Sequence, residues 1–170
     1  MRLLFFLFVS CASLSAQAQT KNQKLPSEFV AFFQGTWSGV GKFTNGKPIE
    51  ANLSFNLTLD SCWLNYEHHD QPPNLYHALS MWGIDRSSGQ FVAYLFDSFQ
   101  GHRKFESNGW SQNKLVLTTS ENNPTSGLVF QQFTYEKLTD KTFKMSFEMS
   151  RDARTWKLID NLTFTKTETK

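Results

Sequence analysis

From Thr36 onward, apolar residues recur at every second position, the spacing of a strand with one covered face. Ile49, Ala51, Leu53, Phe55, Leu57 and Leu59 alternate with Glu50, Asn52, Ser54, Asn56 and Thr58, and Phe143, Met145, Phe147 and Met149 alternate with Lys144, Ser146 and Glu148. Turn-forming residues interrupt the alternation at fairly even intervals, as at Asn45-Gly46, Gln71-Pro72-Pro73-Asn74, Asp85 to Gly89, Ser98 to Gly101, Asn122-Asn123-Pro124 and Thr139-Asp140-Lys141. The punctuation predicts about ten strands. Strands joined by short turns pair antiparallel, and a meander of that length closes on itself because closure removes its exposed edges. The predicted fold is all-β: a single antiparallel up-and-down β-barrel of about ten strands, with one short N-terminal helix.

The helix is where the period changes. Ser27 can cap it, Glu28 suits its positive end, and Phe29, Phe32 and Phe33 form an apolar stripe. Gly35 then lets the chain leave the helix, Thr36 opens the first strand, and Trp37 is placed to close the barrel floor. Upstream, Met1-Arg2, the apolar run Leu3 to Val9 and Ala16-Gln17-Ala18 have the order of an export signal. The expected organisation is a signal peptide over 1–18, a polar leader over 19–27 and the barrel domain over 28–167, with the protein exported to the periplasm or the extracellular space. Cys11 offers a second route, acylation as a lipoprotein. Otherwise it leaves with the signal, and Cys62 remains as the one thiol, expected to be a small buried hydrophobe.

Charge narrows the partners. The chain carries 17 Lys and Arg against 15 Asp and Glu, scattered singly. Such a balance argues against nucleic acid or an anionic membrane surface as partner, and no segment is long and apolar enough for a transmembrane helix.

Turn lengths suggest a register for the middle hairpins. Pairing Asp70 with Leu75, Asp85 with Gln90 and Phe96 with Arg103 puts Cys62, Leu64, Tyr66, His68, His77, Leu79, Met81, Val92, Tyr94, Phe96, Arg103 and Phe105 on one face. Asn65, Glu67, His69, Asp97, Lys104 and Glu106 fall on the other, beside Trp63 and Trp82. The less charged face is taken as the interior, which makes Tyr66, His68, His77, Tyr94, Arg103 and Phe105 the candidate pocket residues. An apolar cavity with a few convergent polar groups is the usual form of a small-molecule site. Arg103 would need an anion: a ligand carboxylate, or Asp97 or Glu106 if it lies at the barrel mouth. A core filled by the many Phe side chains would instead leave no cavity. His68 and His69 point to opposite faces and cannot readily share a metal, and no nucleophile elbow or phosphate loop is present.

A short helix leading into Gly35-x-Trp37 on the first strand, followed by an antiparallel meander, resembles the calycin-like barrels: lipocalins, fatty-acid-binding proteins and nitrobindin-type haem barrels. The run Trp82 to Val92, with Phe96-Asp97-Ser98 and Gly109-Trp110, is similar to a family of exported bacterial proteins of unknown function placed in that superfamily. The resemblance implies a small, often apolar molecule bound inside the barrel, and a basic residue of the last strand, Lys157 or Arg154, over Trp37. Haem is disfavoured, because the nitrobindin-type axial His lies towards the C-terminus and no His follows His102. No cofactor is therefore expected. Three functions stay open: binding of a small apolar or amphipathic ligand; an enzyme using Tyr66, His68, His77 and Arg103; and a filled barrel contacting an envelope partner through Trp63 or Trp82.

Overall fold

Ten strands form where the period-two pattern places them. The computed structural model describes residues 23–125 and 127–167; the expected signal peptide and Cys11 lie outside these residues. Helix α1 (Ser27–Phe33) leads into β1 (Gly35–Phe43), β2 (Pro48–Thr58), β3 (Trp63–Asp70), β4 (His77–Ile84), β5 (Phe91–Asp97), β6 (His102–Ser107), β7 (Lys114–Asn123), β8 (Gly127–Thr139), β9 (Thr142–Ser150) and β10 (Lys157–Lys166). Each strand pairs antiparallel with its neighbours in the chain, and β1 pairs with β10 from Trp37↔Lys166 to Phe43↔Asp160, which closes the barrel. The predicted fold class is the observed one. The seam between β6 and β7 is the thinnest, with Glu106↔Thr118 as its ladder pair.

One end of the barrel is plugged by α1. Phe29 and Phe33 are fully buried and stack among Phe55, Trp82, Trp110 and Phe143 at ring separations of 4.8–6.1 Å. Trp37 is 1% exposed, lies 4.8 Å from the Phe143 ring, and its indole N–H donates to the Phe33 carbonyl at 2.8 Å. Buried indole thereby satisfies both its apolar body and its one donor. Gly35 leaves the helix with φ +115°, a conformation that only glycine adopts without strain. At Gly39 a Cβ would stand 2.3 Å from the Phe164 ring, so the bare backbone is what lets that aromatic lie flat against β1.

The basic residue over Trp37 is Lys166. Its ammonium sits 5.2 Å from the indole and donates to the carbonyls of Phe32 at 2.8 Å and Ala31 at 3.3 Å, occupying the free carbonyls at the C-terminal end of α1. Lys157 and Arg154 lie instead at the opposite end of β10, where the strand begins. Ser27 is the first helical residue rather than the cap; Pro26 holds that position, and no side chain caps the helix. Cys62 sits half-buried in the turn before β3, not in a strand.

Candidate functional site

Two loops each run one residue away from the expected register. After β3, the Asp70 N–H donates to the Tyr76 carbonyl at 2.9 Å and the ladder pairs His69 with His77, so the loop is longer than an Asp70–Leu75 pairing allows. The turn between β4 and β5 follows the predicted pairing, with the Asp85 N–H on the Gln90 carbonyl at 2.8 Å. Between β5 and β6 the ladder pairs Phe96 with His102, again one residue off. A one-residue slip inverts every side chain of a strand, so the first error turns β4 and β5 over and the second restores β6.

The consequences fall residue by residue. Tyr66 and His68 face the interior as expected, and so do Arg103 and Phe105. His77 and Tyr94 face outward and are exposed, with Leu79 and Phe96 beside them. Tyr94 lies against the outer face of Trp63 at 6.1 Å, and the His77 ring meets His69 at 2.7 Å between Nδ1 atoms. Trp82 and Asp97, expected outside, are inside: Trp82 is 1% exposed in the aromatic plug, which withdraws it as an exposed contact for a partner.

The end opposite α1 is hollow. A cavity of about 550 Å³ opens there, within the range of roughly 300–1,000 Å³ of small-molecule sites. Much of its wall is apolar, with Ile49, Leu95, Phe133, Met145, Phe147 and Leu162 among the lining residues. Polar side chains stand at several levels, from Tyr66 and Tyr135 against the aromatic plug to Asp70 nearer the mouth, and the rim carries Lys47, Leu75 and Phe99 on successive loops. Phe105 lies outside that lining, buried against Phe133 at 5.5 Å.

The polar groups form two paired sets and one lone acid. On β3, successive inward positions carry Tyr66, His68 and Asp70, with Tyr66 Oη 2.8 Å from His68 Nδ1 and His68 Nε2 2.7 Å from Asp70 Oδ1. With Asp70 ionised, Nε2 carries the hydrogen and Nδ1 accepts from the Tyr66 hydroxyl. Burial, reinforced by neighbouring Tyr135, raises the Tyr66 phenol well above its ordinary range; burial likewise raises Tyr135 and pushes Tyr76 up to about 12. These hydroxyls stay protonated at neutral pH.

On the facing strands, Arg103 forms an ion pair with Asp97 and donates to Gln131 Oε1 at 2.9 Å. Gln131 donates in turn to Glu121 Oε2 at 3.0 Å, so side chains bridge β6, β8 and β7 near the thin seam. The anion that Arg103 requires is thus supplied by the protein. Asp160, on β10, lines the same cavity with no ion-pair or hydrogen-bond partner among the described residues. Burial, with the charge of Asp70 added, raises its carboxyl to about 7.

Asp70, Asp160, Tyr76 and Tyr135 were not among the sequence candidates, whereas Asp97 is one of the two partners expected for Arg103 at the mouth. Two of them carried a signal: Asp70 continues the inward series Tyr66, His68, and Asp160 precedes Leu162 and Phe164 at the same period.

Fold and site together define a closed antiparallel β-barrel with a plug at one end and an internal cavity at the other. The chain is similar in structure to Rv2717c from M. tuberculosis, with a TM-score of 0.59 at 13% identity over 85% of this chain and 100% of that one. A redesigned β-barrel aligns at a TM-score of 0.36 and 14% identity, over 82% of this chain and 95% of that one. No protein-family model and no curated protein sequence matches the chain. The likeness to Rv2717c is one of fold. Among the described residues, no helix is long and apolar enough to cross a membrane.

Proposed function

We propose that this is an exported, calycin-like barrel that binds a small apolar or amphipathic molecule in its interior. The observation that carries the reading is the cavity itself: an otherwise aromatic-filled barrel leaves about 550 Å³ open at one end, lined by apolar side chains with a few polar groups among them. Closely packed interiors hold few voids larger than a water molecule, so a space of that size is a feature that the fold maintains. Lys166 over Trp37, after a helix and Gly35-x-Trp37, supports the calycin-like assignment. The signal-like residues 1–18 support export to the periplasm or beyond. Haem has no place in this reading, because His68, the cavity histidine, has both ring nitrogens engaged, one by Tyr66 and one by Asp70.

Native mass spectrometry of the protein recovered from its exporting cell tests the proposal. A bound species of a few hundred daltons is expected, released on unfolding; bare protein, with no uptake of an added neutral apolar probe, contradicts it. The hydrogen-bonded series Tyr66, His68, Asp70 favours a second reading, an enzyme in which Asp70 orients His68 as a general base acting through the Tyr66 hydroxyl. On that reading Tyr66→Phe loses turnover of the bound molecule while its affinity persists.

A further inference from the structure

Resting on the cavity as a binding site, we infer that its preferred ligand is an apolar molecule with a cationic head, such as a protonated amine, held at Asp160 and Asp70. The cation in the wall is already used. Arg103 commits its two terminal nitrogens to Gln131 and Asp97, and its Nε, unpartnered among the described residues, is fully buried, so a ligand carboxylate would have to displace a protein carboxylate to reach the guanidinium. Lys47 stands at the rim in solvent, its ammonium 6.0 Å from the Phe43 ring. What remains inside is carboxylate. His68 engages one oxygen of Asp70, and Asp160 has no cation at ion-pair distance among the described residues.

An ionised carboxyl withdrawn from water without a partner is unfavourable, and a protonated amine placed there restores both charge balance and hydrogen bonds. The groups facing that position come from every side of the barrel. Asp70, His68 and Tyr66 stand on β3, Tyr76 on the following loop, Asp97 on β5, Arg103 on β6 and Tyr135 on β8. The three tyrosine hydroxyls are neutral, and Arg103 and Asp97 cancel, so Asp160 and Asp70 decide the sign. The apolar wall of Leu95, Phe133, Met145 and Phe147 takes the tail.

Octylamine, octanol and octanoate share one tail and differ in the head, and calorimetric titration of the whole protein with each separates the possibilities. At about pH 8, octylamine is expected to bind at least roughly tenfold more tightly than octanoate, the size of one charge-assisted hydrogen bond. Asp160→Asn should remove most of that preference while leaving octanol within about twofold. Because Asp160 holds its proton up to about 7, octylamine binding near that pH should also release a proton, read as a dependence of the heat on the buffer. Octanoate binding as tightly as octylamine, or amine binding without proton release, overturns the inference. If octanol binds and no head is preferred, the cavity reading stands and only the amine falls. If none of the three binds, both fall.

Discussion

The two ends of the barrel are built from the same inward alternation and reach opposite results. At the α1 end, inward positions carry Phe29, Phe33, Trp37, Phe55, Trp82 and Phe143, and the rings fill the barrel completely. Polar needs there are few and local: the Trp37 N–H meets the Phe33 carbonyl, and Lys166 meets the last carbonyls of the helix. At the other end, the same strands carry His68, Asp70, Asp97, Arg103 and Asp160 beside apolar groups such as Leu95, Met145 and Phe147, and space is left between them. These polar side chains satisfy one another in pairs along the wall, as Arg103 with Asp97 and His68 with Asp70, and the space they border stays open. One barrel thus keeps its densest packing at one end and its titratable groups at the other.

The largest expected effect is at the packed end. Trp37→Ala should cost roughly 3–5 kcal/mol in denaturant melts, through lost ring contacts, a cavity and an unsatisfied Phe33 carbonyl. A loss below about 1 kcal/mol would mean that the floor does not depend on this ring.

A smaller effect with the opposite sign belongs to the hollow end. Asp160 has a folded pKa of about 7, above the ordinary value of 3.8, so the unfolded chain releases its proton first. Stability attached to this group is therefore present at low pH and lost as pH rises from about 4 through about 7. Asp160→Asn should flatten that slope and stabilise the protein by roughly 1–3 kcal/mol at about pH 8. Unchanged pH dependence of the melting temperature in the variant would place the acid in water and remove it from the cavity wall.

The smallest effect is expected on the outer wall. His77→Ala and Tyr94→Ala, which face solvent, should each change stability by no more than about 0.5 kcal/mol and leave ligand affinity as it was. A tenfold loss of affinity in either would restore the inward register that their hairpins lack.

The packed end was legible in the sequence because its determinants are local. The Phe stripe of α1, Gly35 and Trp37 lie within a dozen residues, and their roles follow from helix period and glycine conformation. The hollow end was half legible, and the reason is the loops. Asp85 to Gly89 announces its turn, with Asp85 Oδ1 accepting from the backbone of Ser87 and Ser88, and the register across it matches expectation. The Gln71 to Tyr76 loop and the Ser98 to Gly101 turn each depart by one residue, which nothing in their composition announces. Two slips of one residue cancel, which is why Tyr66, His68 and Arg103 are inside although His77 and Tyr94 are not. The identity of the counter-charge to Arg103 followed from the same slip, since it brought Asp97 inward.

If the end away from α1 is a cavity that takes a molecule, filling it must abolish binding. Leu95, buried on its wall, is the position at which to fill it. Calorimetric titration of octanol into the wild-type protein and into Leu95→Trp tests the claim most directly. Saturable binding to the wild type, lost by at least about tenfold in a variant whose stability changes by less than about 1.5 kcal/mol, is the predicted result, because empty space absorbs the added ring. Equal octanol binding in both proteins, or a wild type that binds none, would contradict it.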